Sequence, residues 1–218
     1  MYAMKYTRTY YHLILDRSGS MTSCIEQTVD GVNQQIRRIK EVSERFPDQE
    51  LITSLTLFND RLTRAWSLVR PGNLREISFA DYQPEGFTAL LDAIGTTIAD
   101  MHKSTGAEIE AGEASVVVVI ITDGHENSSR EFSHGQVASL IRELEMTGKW
   151  TFTYLGATLD AVEIATSLNI QRNNAMHFKP DDYTLVYNKL DKSLYSYLNE
   201  KETGKIKNDF LENEDDKH

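Results

Sequence analysis

"SVVVVIITDG", residues 115–124, decides the fold. Val116 to Ile121 run without polar alternation, the pattern of a strand buried on both faces. A strand covered on both sides lies in a mostly parallel sheet, because the crossovers place helices on each face. The run stops at Asp123, and Gly124 follows. In such sheets ligands sit beyond the carboxyl ends of the strands, where the strand order reverses. A carboxylate at that end is therefore the first candidate for chemistry.

Upstream, "TYYHLIL" (9–15) reads as another strand and ends in Asp16. Ile25, Val29, Val32, Ile36, Ile39 and Phe46 then form one face of a long amphipathic helix. "LITSLTLF" (51–58) and "LTRAWSLV" (62–69) are strands separated only by "NDR", so they form an antiparallel hairpin. Residues 70–87 are irregular. A helix is expected from Thr88, with Leu91, Ile94, Ile98 and Met101 inward, and 106–114 reads as a polar connection. Downstream, Ser133 and Gln136 form a capping-box pattern before Val137, Leu140, Ile141 and Leu144. "WTFTYLGA" (150–157), a short helix near 159–168, a weak strand near 174–178 and a last helix through Tyr183, Val186, Leu190, Leu194 and Tyr197 complete the pattern. The expectation is an α/β fold, three-layered and doubly wound. Its sheet is mostly parallel with one antiparallel edge strand, and Rossmann-like. Residues 1–200 form one domain, and 201–218, rich in charge, a loose tail.

The formal net charge of −10, from 33 acidic and 23 basic residues, argues against nucleic acid and anionic membranes as partners. Cys24 is the only cysteine among 218 residues, so no intrachain disulfide can form. The first residues lack the pattern of a secretory signal, and the longest apolar run is too short to cross a bilayer. A soluble, cytoplasmic protein is expected.

"DRSGS" (16–20) places one carboxylate and two hydroxyls at alternate positions directly after the first strand. If that strand neighbours 115–122, Asp16, Ser18, Ser20, Thr88 and Asp123 meet in one crevice. Two carboxylates and three hydroxyls are hard oxygen ligands, suited to Mg²⁺ or Mn²⁺. No pattern of catalytic nucleophile and base is present, and no nucleotide-phosphate motif.

These three motifs resemble the von Willebrand factor type A domains that carry a complete metal-ion-dependent adhesion site. Asp16-Arg17-Ser18-Gly19-Ser20 matches the family's D-x-S-x-S string, Thr88 the lone threonine of the central loop, and Asp123 the third-loop aspartate. The likeness covers about residues 8 to 200. It implies that the serines contact the metal directly and the aspartates largely through water, with the threonine joining when ligand binds. It also implies a partner protein that supplies a Glu or Asp carboxylate to the metal, and work within a larger assembly. One departure is Gly86-Phe87-Thr88, where many members have Gly-Gly-Thr, so Phe87 is expected to narrow or specialise the ligand site. The final helix, 182–198, is either a switching element or a static packed helix. His125, Glu126, Arg17 and Glu85 either touch a partner or are ordinary polar loop residues. Cys24 is expected as a small buried residue. A carboxylate of the tail (Glu212, Glu214, Asp215 or Asp216) reaching a neighbouring copy's metal is a further expectation, beside a solubilising role. The alternative class is a Mg²⁺-dependent hydrolase or phosphatase using Asp16, similar to the haloacid-dehalogenase-like enzymes. Those need a second aspartate two residues on, where this chain has Ser18.

Overall fold

Val116–Ile121 forms the middle of β4 (Ala114–Thr122), every residue of which is buried. The computed structural model describes residues 7–179, 182–206 and 208–211. Around β4 lie β1 (Arg8–Asp16), β2 (Glu50–Phe58), β3 (Leu62–Val69), β5 (Trp150–Gly156) and β6 (Ala175–His177). The helices are α1 (Ile25–Arg45), α2 (Leu90–Glu110), α3 (His134–Met146), α4 (Ala161–Ser167) and α5 (Tyr183–Glu202). The strand order is β3-β2-β1-β4-β5-β6. Only the β2–β3 pair is antiparallel among these strands. After β1 the chain moves outward to β2 and β3, then returns to β4 on β1's other side. The strand order thus reverses between β1 and β4, whose registers align Leu15 with Ile121. Asp16 and Asp123 therefore leave the sheet side by side.

The period of two along each strand divides the core. Tyr11, Leu13, Leu15, Val117, Val119 and Ile121 pack toward α1 and α5. Tyr10, Ile14, Val116, Val118 and Ile120 pack toward α2, α3 and α4. On the first side α1 and α5 approach closely, because Gly31 leaves room for the ring of Tyr187. The irregular segment after β3 is anchored by Asn33, whose side chain donates to Ile77 O at 2.9 Å and accepts from Ile77 N at 2.8 Å.

Three boundaries differ from expectation. Helix α2 starts at Leu90, and it continues through 106–110 instead of ending in a polar connection. Ile109 is buried in the core, and the left-handed residue that ends the helix is Gly112 (φ 74°), not Gly106. Helix α5 runs to Glu202, past the expected domain end. Residues 208–211 are not loose: Phe210 and Leu211 are buried against Tyr11 and Tyr197. Asn174 holds this return, donating to Asn208 O and accepting from Phe210 N, both at 2.6 Å. Two buried apolar side chains outweigh a charged average composition. Glu212, Glu214, Asp215 and Asp216 lie outside the described residues.

Candidate metal centre

Asp16 ends β1 and is fully buried. Its Oδ1 accepts from the Ser18 amide at 2.6 Å, and its Oδ2 accepts from Thr122 Oγ1 at 2.5 Å. Its carbonyl accepts from the Tyr82 hydroxyl at 2.6 Å. Thr122 is the last residue of β4, so one carboxylate ties the ends of two neighbouring strands. Beyond Ser18 the chain enters a 3₁₀ turn, Gly19–Cys24. Ser18 Oγ lies 3.1 Å from Ser20 Oγ, which donates to Asp123 Oδ1 at 2.6 Å.

Gly124 locates the remaining candidate, Thr88. A Cβ built on it would lie 3.1 Å from Thr88 Oγ1, 3.5 Å from Ser20 Oγ and 3.8 Å from Asp16 Oδ2. Oxygens from the end of β1 and its loop and from the Thr88 loop thus converge beside Gly124, where a side chain would crowd them. Through the hydrogen bonds among Ser18, Ser20 and Asp123, all five residues expected at the site belong to one cluster. The cluster meets the surface, because Ser20 is exposed.

Thr88 is clamped from two sides. Gly86, with φ of 74°, passes its carbonyl to the Gly19 amide at 3.1 Å. Asn59 donates to Glu85 O at 2.9 Å, and its own carbonyl accepts from Ala89 N at 2.9 Å. On the other side Asn127 Oδ1 accepts from Thr88 N at 2.9 Å, while Asn127 N donates to Thr88 O at 3.0 Å. Sequence reading missed both asparagines. Their signal was weak: Asn59 opens a turn string, and Asn127 sits in a polar loop, where such side chains often bond nearby backbone. Glu126 is turned inward: its carboxylate accepts from Leu91 N, Ser128 N and Ser129 N and from Ser129 Oγ, at 2.7–2.9 Å. It is a loop-building residue. His125 stays exposed, with Nε2 3.2 Å from Asp160 Oδ1. Arg17 donates from Nη2 to Thr63 Oγ1 at 3.0 Å. Cys24 is buried, with Sγ 3.4 Å from the Tyr183 hydroxyl.

Burial raises the Asp16 carboxyl to about 6, against the opposing hydrogen bonds from Thr122 and Ser18. Burial also raises that of Asp123. The strongest influences on Asp16 include a second carboxylate and no cationic side chain. A divalent cation among these oxygens would reverse that cost and hold both carboxyls ionised. Among the described residues no three His, Cys, Asp or Glu side chains are grouped to hold a metal. The two carboxylates here would need the hydroxyls beside them, and hard oxygens of this kind fit Mg²⁺ or Mn²⁺.

No curated protein sequence matches the chain. Solved structures do. Proximal thread matrix protein 1 from the mussel byssus, with a zinc-occupied MIDAS motif, is 18% identical with a TM-score of 0.57, over 88% of this chain and 46% of that one. The manganese-loaded TRAP protein of Plasmodium vivax is 16% identical with a TM-score of 0.57, over 85% of this chain and 73% of that one. The pilus adhesin SpaC of Lactobacillus rhamnosus GG reaches a TM-score of 0.65 at 12% identity, over 87% of this chain and 30% of that one. This chain spans less than half the length of the mussel and SpaC chains. At these identities the likeness is one of fold. The family profile described as the von Willebrand factor type A domain matches residues 12–189, and the chain belongs to that family.

Proposed function

We propose that the chain is a divalent-metal-dependent protein-binding module that works in the cytoplasm. The observation that carries this reading is the convergence of the Asp16, Ser18, Ser20, Thr88 and Asp123 oxygens beside Gly124. These five residues would hold Mg²⁺ or Mn²⁺. When bound, the cation supplies an electron-poor point that takes a Glu or Asp oxygen from a partner protein. The chain's own residues favour such a visitor. Ser18, Ser20 and Thr88 are neutral donors, so the site's charge is limited to two carboxylates, which one divalent cation balances. Thr122 and the Ser18 amide orient Asp16, and Asn59 and Asn127 hold Thr88 in place. The mussel and Plasmodium proteins are described with zinc and manganese, which supports a divalent ion here. A net charge of −10 supports a protein partner over nucleic acid or an anionic membrane, and the single buried cysteine suits a reducing compartment. Work within a larger assembly belongs to the same proposal.

The test is thermal unfolding in EDTA, Mg²⁺, Mn²⁺ and Ca²⁺, on the wild type and on Ser18→Ala/Ser20→Ala. Metal at 100 times its dissociation constant adds about 2.7 kcal/mol. For this size that raises the midpoint by roughly 5–11 °C. The shift is expected with Mg²⁺ or Mn²⁺ and is expected to vanish in the double variant. A shift that survives the double variant places the metal elsewhere. Turnover of phosphate esters that Asp16→Asn abolishes would replace this reading with the hydrolase one.

A further inference from the structure

Isolated exposed apolar residues are ordinary on any surface. Three in this chain are not scattered. Phe87 is 66% exposed although its neighbour Thr88 is 3% exposed: the left-handed Gly86 turns one side chain out and the other in. Gly86 O accepts from Gly19 N in the serine loop. Leu159, 91% exposed, lies in the loop after β5. That loop is tied to the site by Ala157 N donating to Thr122 O at 3.0 Å, and by Asp160 beside His125. Phe79, 54% exposed, lines a shallow surface groove with Thr22 and Ser23, directly after Ser20. Two loops, 74–89 and 157–160, thus present three large apolar side chains beside the segments that carry the candidate metal residues. Exposed carboxylates accompany them: Glu26 lines the groove of Phe79, Asp60 lies beside Gly86, Glu85 precedes Gly86, and Asp160 follows Leu159.

We propose that this rim selects a protein loop in which the metal-seeking carboxylate is flanked on both sides by a large apolar side chain, with basic residues beyond. The proposal rests on the metal-site reading above and adds the chemistry of the partner. The apolar positions follow from Phe87, Leu159 and Phe79. The basic positions follow from charge complementarity with the exposed carboxylates. Those carboxylates also disfavour an anionic lipid surface as the occupant of the rim.

The probe is the peptide acetyl-Gly-Lys-Leu-Glu-Leu-Lys-Gly-amide, labelled and titrated with the full chain in Mg²⁺. It is compared with versions carrying Ala for both Leu, or Gln for Glu. The Leu peptide is expected to bind about tenfold tighter than the Ala peptide, from burial of two apolar side chains. In Phe87→Ala/Leu159→Ala the ratio is expected to fall to about twofold or less, while that variant's melting temperature checks its fold. Equal binding of the Leu and Ala peptides overturns the rim proposal. So does a ratio that survives the double variant, or no binding while the Mg²⁺ thermal shift persists, and in each case the metal site stands. Glu and Gln peptides binding equally well in Mg²⁺, with an affinity that EDTA leaves unchanged, overturn the metal-site reading itself. Sedimentation with phosphatidylcholine vesicles that depends on Phe87 would identify a lipid surface and overturn the proposal.

Discussion

At the scale of single residues, Gly86 carries two constraints at once. Its φ is 74°, and a Cβ there would overlap the Asp60 carboxylate. A left-handed conformation costs an L-residue roughly 1–2 kcal/mol before any overlap. Gly86→Ala is expected to lower stability by about 1–3 kcal/mol in urea unfolding and to weaken Mg²⁺ binding by displacing Thr88. Gly72→Ala is the control, since nothing lies within 4 Å of that Cβ position. A Gly86→Ala protein as stable as the control would show that the Thr88 loop is free to shift. That Asp16, Ser18, Ser20, Thr88 and Asp123 would meet could be read because each lies at the end of a strand, in the turn after one, or just before a helix, where local pattern is informative. The parts played by Asn59, Asn127 and Thr122 could not. The two asparagines bond the backbone of a segment distant in sequence and Thr122 bonds the distant Asp16 carboxylate, and no spacing along the chain announces such bonds.

At the scale of elements, the packing of α1 on α5 turns on Gly31. Alanine would favour the helix by about 1 kcal/mol over glycine. Its Cβ, however, would overlap the ring of Tyr187, which is itself fully buried and has nowhere to go. Overpacking of this kind costs roughly 1–3 kcal/mol, so Gly31→Ala is expected to destabilise on balance. Combining it with Tyr187→Leu should recover part of the loss, a non-additivity that equilibrium unfolding of the four proteins measures. A stabilising Gly31→Ala would mean that the two helices are not in close contact. Element type was readable wherever periodicity was strong, as in the continuous apolar β4 and the period of α1. Element ends were read less well. The stretch 106–110 is polar on average, yet one buried Ile109 keeps it helical, and only the later glycine ends α2.

At the scale of the whole molecule, Lys201 carries the clearest pH signature. Its ammonium is buried beneath the start of β1 and β4 and donates to Arg8 O, Thr9 Oγ1 and Ser115 Oγ at 2.6–2.9 Å. Desolvation lowers it from 10.5 to about 7. Between those values the unfolded chain binds more protons than the folded one, so this residue makes stability rise with pH across that window. Lys201→Met is expected to remove that part of the slope, read from urea midpoints at several pH values. An unchanged slope would mean that the ammonium is solvated. Phe210→Ala is expected to cost about 3–5 kcal/mol, as for other buried phenylalanines. Phe79→Ala, on the surface, should change stability by less than about 0.5 kcal/mol. The layered architecture and the place of its switch point could be read from the order of strands and helices. The return of residues 208–211 could not, because its cause is an apolar surface to which β1 and α5 both contribute, through Tyr11 and Tyr197, and which no local window contains.

That return has a consequence for biosynthesis. The rings of Tyr11, on β1, and Phe210, beyond α5, lie 6.1 Å apart although most of the described chain separates them. During synthesis the side of the sheet facing α5 therefore stays open until residue 210 has emerged from the ribosome. Contacts so distant in sequence form slowly, and uncovered apolar surface is prone to aggregate in the interval. The yield of this protein in cells will depend on what shelters that face until residue 210 has been made.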